Sequence, residues 1–190
     1  MTLDASFVLN TAVDAQDFLR QKTFLQLIAA RFNLSEGNRL SVSVYKDIVE
    51  HQIILGASQN NKEFADAVYV LRPSTGEHRL DVAIHGVFKT YFSMWQASPN
   101  AKVIVLVVSH GFNRRSDFCP SYVQPFELAS QLRKAGVRVI MAVIGVNTSE
   151  YFKDLTKSDD EIWNFNSYDD LVSAAGNFSM AVCRTAGKIT

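Results

Sequence analysis

The stretch FVLNTAVD, Phe7 to Asp14, carries three apolar residues straight into a polar turn and sets Asn10, Ala12 and Asp14 at i, i+2 and i+4. Oxygen-bearing side chains at that spacing could surround a hard divalent cation, which takes near-octahedral oxygen ligands at about 2.0–2.1 Å. Ala12 has no donor atom, so the set is incomplete. A local role competes with the metal: Asn and Asp commonly hydrogen-bond their own turn and cap helices, and a helical pattern begins at once after Asp14.

Two other groupings bear on covalent chemistry. Ser109 stands beside His110, but neighbours at a strand end point to opposite faces, and no Gly-x-Ser-x-Gly elbow is present. Cys119 shares a loop with His110, Arg114 and Arg115, cations that could lower a thiol pKa; the competing reading is a small buried hydrophobe. No catalytic residue is assigned, and the chain is not expected to be an enzyme. The turn NTAVDA also lacks glycine, so the backbone cannot approach a pyrophosphate as Gly-x-Gly-x-x-Gly does, and no cofactor is expected.

Alternating strands and helices must position these residues. ASFVL reads as a short buried strand. AQDFLRQKTFLQLIAARF then spaces Phe18, Leu19, Phe24, Leu25, Ile28 and Phe32 near the helical period. RLSVSVYK and VEHQIIL alternate like paired strands; NKEFADAVYVL is a helix, RPSTGEH a loop, and Leu80 to Trp95 a strong helical pattern. The continuous apolar run KVIVLVVS predicts a central parallel strand buried on both sides. The long loop HGFNRRSDFCPSYVQ follows, then the helix PFELASQLRKAG and the strand VRVIMAVIGV. A short helix near SEYFKDL, the edge strand IWNF and one last helix from about Tyr168 to Cys183 complete the chain. This alternation specifies an α/β fold with a doubly wound, mostly parallel sheet and helices on both faces. Ligands in such sheets sit beyond the carboxyl ends of the strands, where the turns after FVL and VLVVS meet.

Composition narrows the function classes. At 190 residues, 47% hydrophobic, with no linker or low-complexity stretch, the chain suits one core and one domain over residues 1–190. Nineteen basic residues balance nineteen acidic ones, which leaves no field to draw it to nucleic acid or an anionic membrane. No apolar run approaches the roughly 20 residues of a membrane span. The start MTLDASFV lacks the n- and h-regions of a leader, so the sequence reads as soluble; a module cut from a longer secreted chain would begin the same way. Sequons at Asn33, Asn147 and Asn177 point towards glycosylation and the secretory route. Cys119 and Cys183 have no metal spacing and fall at opposite poles, so no internal bridge is expected.

The segments in this order resemble the von Willebrand factor A domain over nearly the whole chain. The residues from ASFVLN to VSVYKD resemble its first strand, metal loop, first helix and second strand. KVIVLVVSHGFNRR resembles its fourth strand and following loop, LRKAGVRVIMAVIGV its helix-to-fifth-strand junction, and YDDLVSAAGNFSMAVC its closing helix. The resemblance implies a six-stranded sheet with one antiparallel edge strand, of Rossmann-like α/β type. It also implies a metal-ion-dependent adhesion site built from Asp-x-Ser-x-Ser, a later threonine and an aspartate. The matching positions here are Asn10, Ala12, Asp14, His78 and His110, and none keeps the family residue. The expectation is therefore a degenerate site without metal; the sharper alternative is that Asp14, His78 and His110 converge on zinc, which accepts imidazole and carboxylate.

The function implied is a secreted extracellular-matrix adhesion module that binds collagen, another matrix protein or neighbouring A domains. The alternative is an intracellular scaffold domain of a large complex. With no ion, affinity must come from side chains. Phe112, Arg114, Arg115, Phe118 and Tyr122 are of the types enriched at interface hot spots, unless the three aromatics fold back over the sheet. The loop Arg72 to Arg79 borders the same face.

Overall fold

The computed structural model describes residues 2–95, 98–109, 125–145, 152–156 and 158–186. Six strands form one sheet: β1 (Leu3–Asn10), β2 (Arg39–Tyr45), β3 (Val49–Ile53), β4 (Ala101–Ser109), β5 (Val137–Ile144) and β6 (Ile162–Phe165). Their order is β3-β2-β1-β4-β5-β6. Every pairing is parallel except β2 with β3, which makes β3 the single antiparallel edge strand. The two apolar segments expected at the centre are neighbours, with Phe7 of β1 opposite Val105 of β4.

Helices α1 (Ala15–Ala29), α2 (Asn61–Tyr69), α3 (Leu80–Trp95), α4 (Pro125–Lys134), α5 (Tyr168–Ser173) and α6 (Ala175–Ala186) flank the sheet. The period of two in β1 and β4 builds two cores. Ala5, Phe7 and Leu9 with Val103, Val105 and Val107 pack against α1, α5 and α6 through Phe24, Ile28, Leu171 and Phe178. Val8 with Ile104, Leu106 and Val108 packs against α3 and α4 through Leu80, Ile84, Phe88 and Leu132. Burial on both faces is the physical reason β4 reads as an unbroken apolar run.

Several element boundaries depart from the sequence pattern. β1 starts at Leu3 and not at Ala5, because the intervening Asp4 is fully buried in the sheet. The first helical pattern runs to Phe32, yet α1 stops at Ala29; Arg31 and Phe32 donate to the carbonyls of Ile28 and Ala29, tightening the last turn. The closing helix is two helices: Ala174 caps α5 with φ −83° and ψ −3°, and α6 sets out from there. Near SEYFKDL, Leu155 and Thr156 both donate to the Phe152 carbonyl and close a turn around that buried ring.

Candidate functional site

Parallel pairing of β1 with β4 puts their carboxyl ends, Asn10 and Ser109, side by side at one end of the sheet. Asn10 is fully buried, and each of its polar atoms has a partner. Its backbone N–H donates to Gln21 Oε1 (3.0 Å) and its carbonyl accepts from Gln21 Nε2 (2.8 Å), a clasp from the buried face of α1. Its Oδ1 accepts from the Ala12 N–H at 2.9 Å, an Asx turn. That bond orients the amide, so Nδ2 faces Ser109 Oγ at 2.9 Å and His78 Nδ1 at 2.6 Å. An amide nitrogen only donates, so Nδ1 of His78 is the acceptor and carries no proton.

The neighbouring loops are stitched to the same end. Thr11 continues the ladder through its N–H and hydroxyl, both to the Tyr45 carbonyl. Ser74 donates its N–H to the Thr11 carbonyl and its hydroxyl to Thr11 Oγ1. Arg79, next to His78, holds Asp81 in the first turn of α3 at 2.8 and 3.0 Å. Gly76 is required for the close approach: a Cβ there would collide with Asp47 Oδ1 and crowd Lys46. The loop from Arg72 to Arg79 thus borders the face occupied by the turn after β1.

Asp14 has a different job. It is exposed and caps α1, its Oδ1 accepting from the Asp17 N–H at 2.8 Å. Ala12 contributes only its backbone N–H. Tyr168, at the start of α5, is buried with its hydroxyl near Ser109, but no hydrogen bond closes between them. Burial pushes the Tyr168 pKa up to about 12, with the Ser109 hydroxyl opposing the shift.

The structure therefore brings Asn10 and His78 into contact and sets Asp14 apart on the helix cap. His110, Phe112, Arg114, Arg115, Phe118, Tyr122, Cys119 and Asn147 lie outside the described residues. Asn33 and Asn177 are exposed, on a 3₁₀ turn and on α6. Gln21 and Tyr168 belong to the site with no signal in the sequence, Ser74 comes from the Arg72–Arg79 loop expected at this face, and Ser109 enters the sequence reading only as the neighbour of His110. Ser109 carried the one usable signal, a polar residue closing the adjacent buried strand. The donor set does not match the oxygen cage of Mg²⁺: Asn10 turns its amide nitrogen inwards, and Ala12 supplies nothing. Among the described residues no three His, Cys, Asp or Glu side chains gather where they could hold a metal.

This architecture, with its site at the carboxyl ends of β1 and β4, is that of an A domain. The chain belongs to the von Willebrand factor type A domain family, whose family model matches residues 4–175. Domains of this family generally serve protein–protein interaction and not catalysis. Among solved structures, proximal thread matrix protein 1 of the mussel byssus is similar at 18% identity and TM-score 0.79, over 96% of this chain and 46% of that one. The same mussel protein with a zinc-occupied MIDAS motif aligns with TM-score 0.77. The conserved hypothetical protein BatB of Bacteroides thetaiotaomicron is similar at 10% identity and TM-score 0.71, over 99% of this chain and all of that one. At these identities the likeness is one of fold, and the chain spans about half the length of the thread protein. No curated protein matches the chain.

Proposed function

We propose that residues 1–190 form one A domain, a non-enzymatic adhesion or assembly module of an extracellular-matrix or collagen-associated protein, and that it engages its protein partner without a divalent metal. The observation that carries this reading is the Asn10 amide, which donates to His78 and Ser109 at the position where an ion would need oxygen acceptors. Neutral hydrogen bonds hold the turn that a cation would otherwise organise. Exposure of the sequon residues Asn33 and Asn177, and the likeness to a mussel thread matrix protein, support the extracellular setting. Affinity then rests on Arg114, Arg115 and the aromatics Phe112, Phe118 and Tyr122.

Calorimetric titration with Mg²⁺, Ca²⁺ and Mn²⁺ at millimolar concentration should give no heat above dilution. Binding to collagen or another matrix partner should survive EDTA. The double variant Arg114→Ala, Arg115→Ala should lose about 2 kcal/mol or more of that affinity, the scale of a true hot spot, and Asp14→Ala should lose less. Tight binding of any of the three ions, loss of partner binding in EDTA, or the reverse ranking of variants would overturn the reading. Zinc binding abolished by both Asp14→Ala and His78→Ala would replace it with the remodelled zinc site.

A further inference from the structure

We propose that, of the two exposed sequon asparagines, Asn33 is the principal acceptor of an N-linked glycan. The inference rests on the extracellular reading and separates two sites that the sequence presents alike, since each is an asparagine followed two residues on by serine. Asn33 lies in the turn between α1 and β2, at the amino end of β2 and so at the pole of the sheet opposite Asn10. Buried Phe32 and Leu34 pin that turn on either side of it. Asn61 of α2 fixes both, donating to the Phe32 carbonyl at 2.7 Å and accepting from the Leu34 N–H at 3.2 Å. Asn33 and Ser35, the first and third residues of the sequon, are therefore left facing solvent together.

The local hydrogen bonding presents the reacting atom. Asn33 Oδ1 accepts from the Ser35 N–H at 3.2 Å, an Asx turn. That bond commits the amide oxygen and leaves Nδ2 and the Ser35 hydroxyl without a partner among the described residues. In the transfer, Nδ2 bonds to the anomeric carbon of an oligosaccharide carried on a polyprenyl pyrophosphate. The bond from that carbon to the pyrophosphate oxygen breaks, the pyrophosphate leaves with the electron pair, and the amide gives up one of its two protons. Asn177 offers its amide without the rest of the motif. It lies within α6, where two residues along the chain turn roughly 200° around the helix axis. The Ser179 hydroxyl of its sequon is accordingly buried and donates to the Gly176 carbonyl at 2.7 Å.

The test is to secrete the full chain from cultured mammalian cells behind a supplied leader and to release its glycans enzymatically, which turns each acceptor asparagine into aspartate. Peptide mass spectrometry should then read aspartate at position 33 in most molecules and asparagine at position 177. Ser35→Ala keeps the N–H that the Asn33 side chain caps, so the turn survives, and it should abolish the conversion at position 33; Ser35→Thr should retain it. An unmodified Asn33 on the secreted chain, conversion that persists in Ser35→Ala, or an Asn177 converted as fully as Asn33 would each overturn the proposal. Because the leader is supplied, an unmodified Asn33 overturns this site and leaves the extracellular reading standing. A glycan at Asn33 in these cells, beside a native protein confined to the cytosol, would overturn that reading and uphold the site.

Discussion

The two ends of the central strand β1 bury polar side chains by opposite means. At the amino end, Asp4 is fully buried as a carboxylate held by Arg39 through two bonds of 2.8 and 2.6 Å, by Ser98 and by Asn100. Desolvation raises its pKa, but those hydrogen bonds and the Arg39 charge outweigh it and hold the carboxyl below its ordinary value. At the carboxyl end, Asn10 is just as buried and is surrounded by an amide, a hydroxyl and an imidazole acceptor. The first end solves the burial of a charge with a countercharge; the second has no charge to solve. A carboxylate at Asn10 would need a cation, and the neutral amide removes that requirement.

The contrast is sharpest where charge is removed from one end or added to the other. Asp4→Ala should cost about 2 kcal/mol in urea unfolding, because it removes the buried acceptor shared by Arg39, Ser98 and Asn100, while the Arg39 side chain, 40% exposed, keeps water as a partner. A cost under about 0.5 kcal/mol, the range of ordinary surface substitutions, would mean the clasp contributes nothing. Asn10→Asp should cost about 2 kcal/mol at neutral pH: the new carboxylate faces Ser109 and the unprotonated Nδ1 of His78 and loses the amide's two donor bonds. Recovery of that loss on adding millimolar Mg²⁺ or Zn²⁺ would break the comparison, because it would show an ion cage still latent at the carboxyl end.

The smallest effect is on the pH dependence. Asp4 has a folded-state pKa below its unfolded value, so its contribution to stability is fully present above the unfolded pKa of about 3.9 and is lost as pH falls through the folded pKa. Asp4→Asn should therefore flatten the acid limb of the stability curve below about pH 4, whereas Asn10→Ala should lower the whole curve without changing that limb. An acid limb unchanged in Asp4→Asn would place the proton uptake on other carboxylates.

Much of the architecture was legible in the sequence because it rests on local periodicity. The alternation in RLSVSVY, the helical spacing from Phe18 to Ile28 and the unbroken run VIVLVV each report what one segment must bury, and burial is the dominant favourable term in folding. The sites where that reading slipped are those where a polar side chain is buried or a helix turns without a breaker. Asp4 disguised the start of β1, since nothing local announces that Arg39 will reach it. Ala174 ends α5 although alanine is the best helix former, so the break follows from packing and not from propensity.

The site was legible only as a set of residue types. In the sequence, Asn10 and Asp14 read as positions of a degenerate metal loop that hold their turn and cap the first helix, with a zinc site as the alternative. The sequence by itself determined that no Asp-x-Ser-x-Ser follows the first strand and that Ala12 can donate no oxygen. Tertiary structure decided the rest: it turned the Asn10 amide towards His78, 68 residues away, and Ser109, 99 residues away, and gave Asp14 to the cap of α1. The physical reason is that periodicity reports burial, which every strand expresses along its own length. The direction of a buried amide depends on which acceptors other strands and loops deliver to it, and that becomes defined only once the sheet has closed.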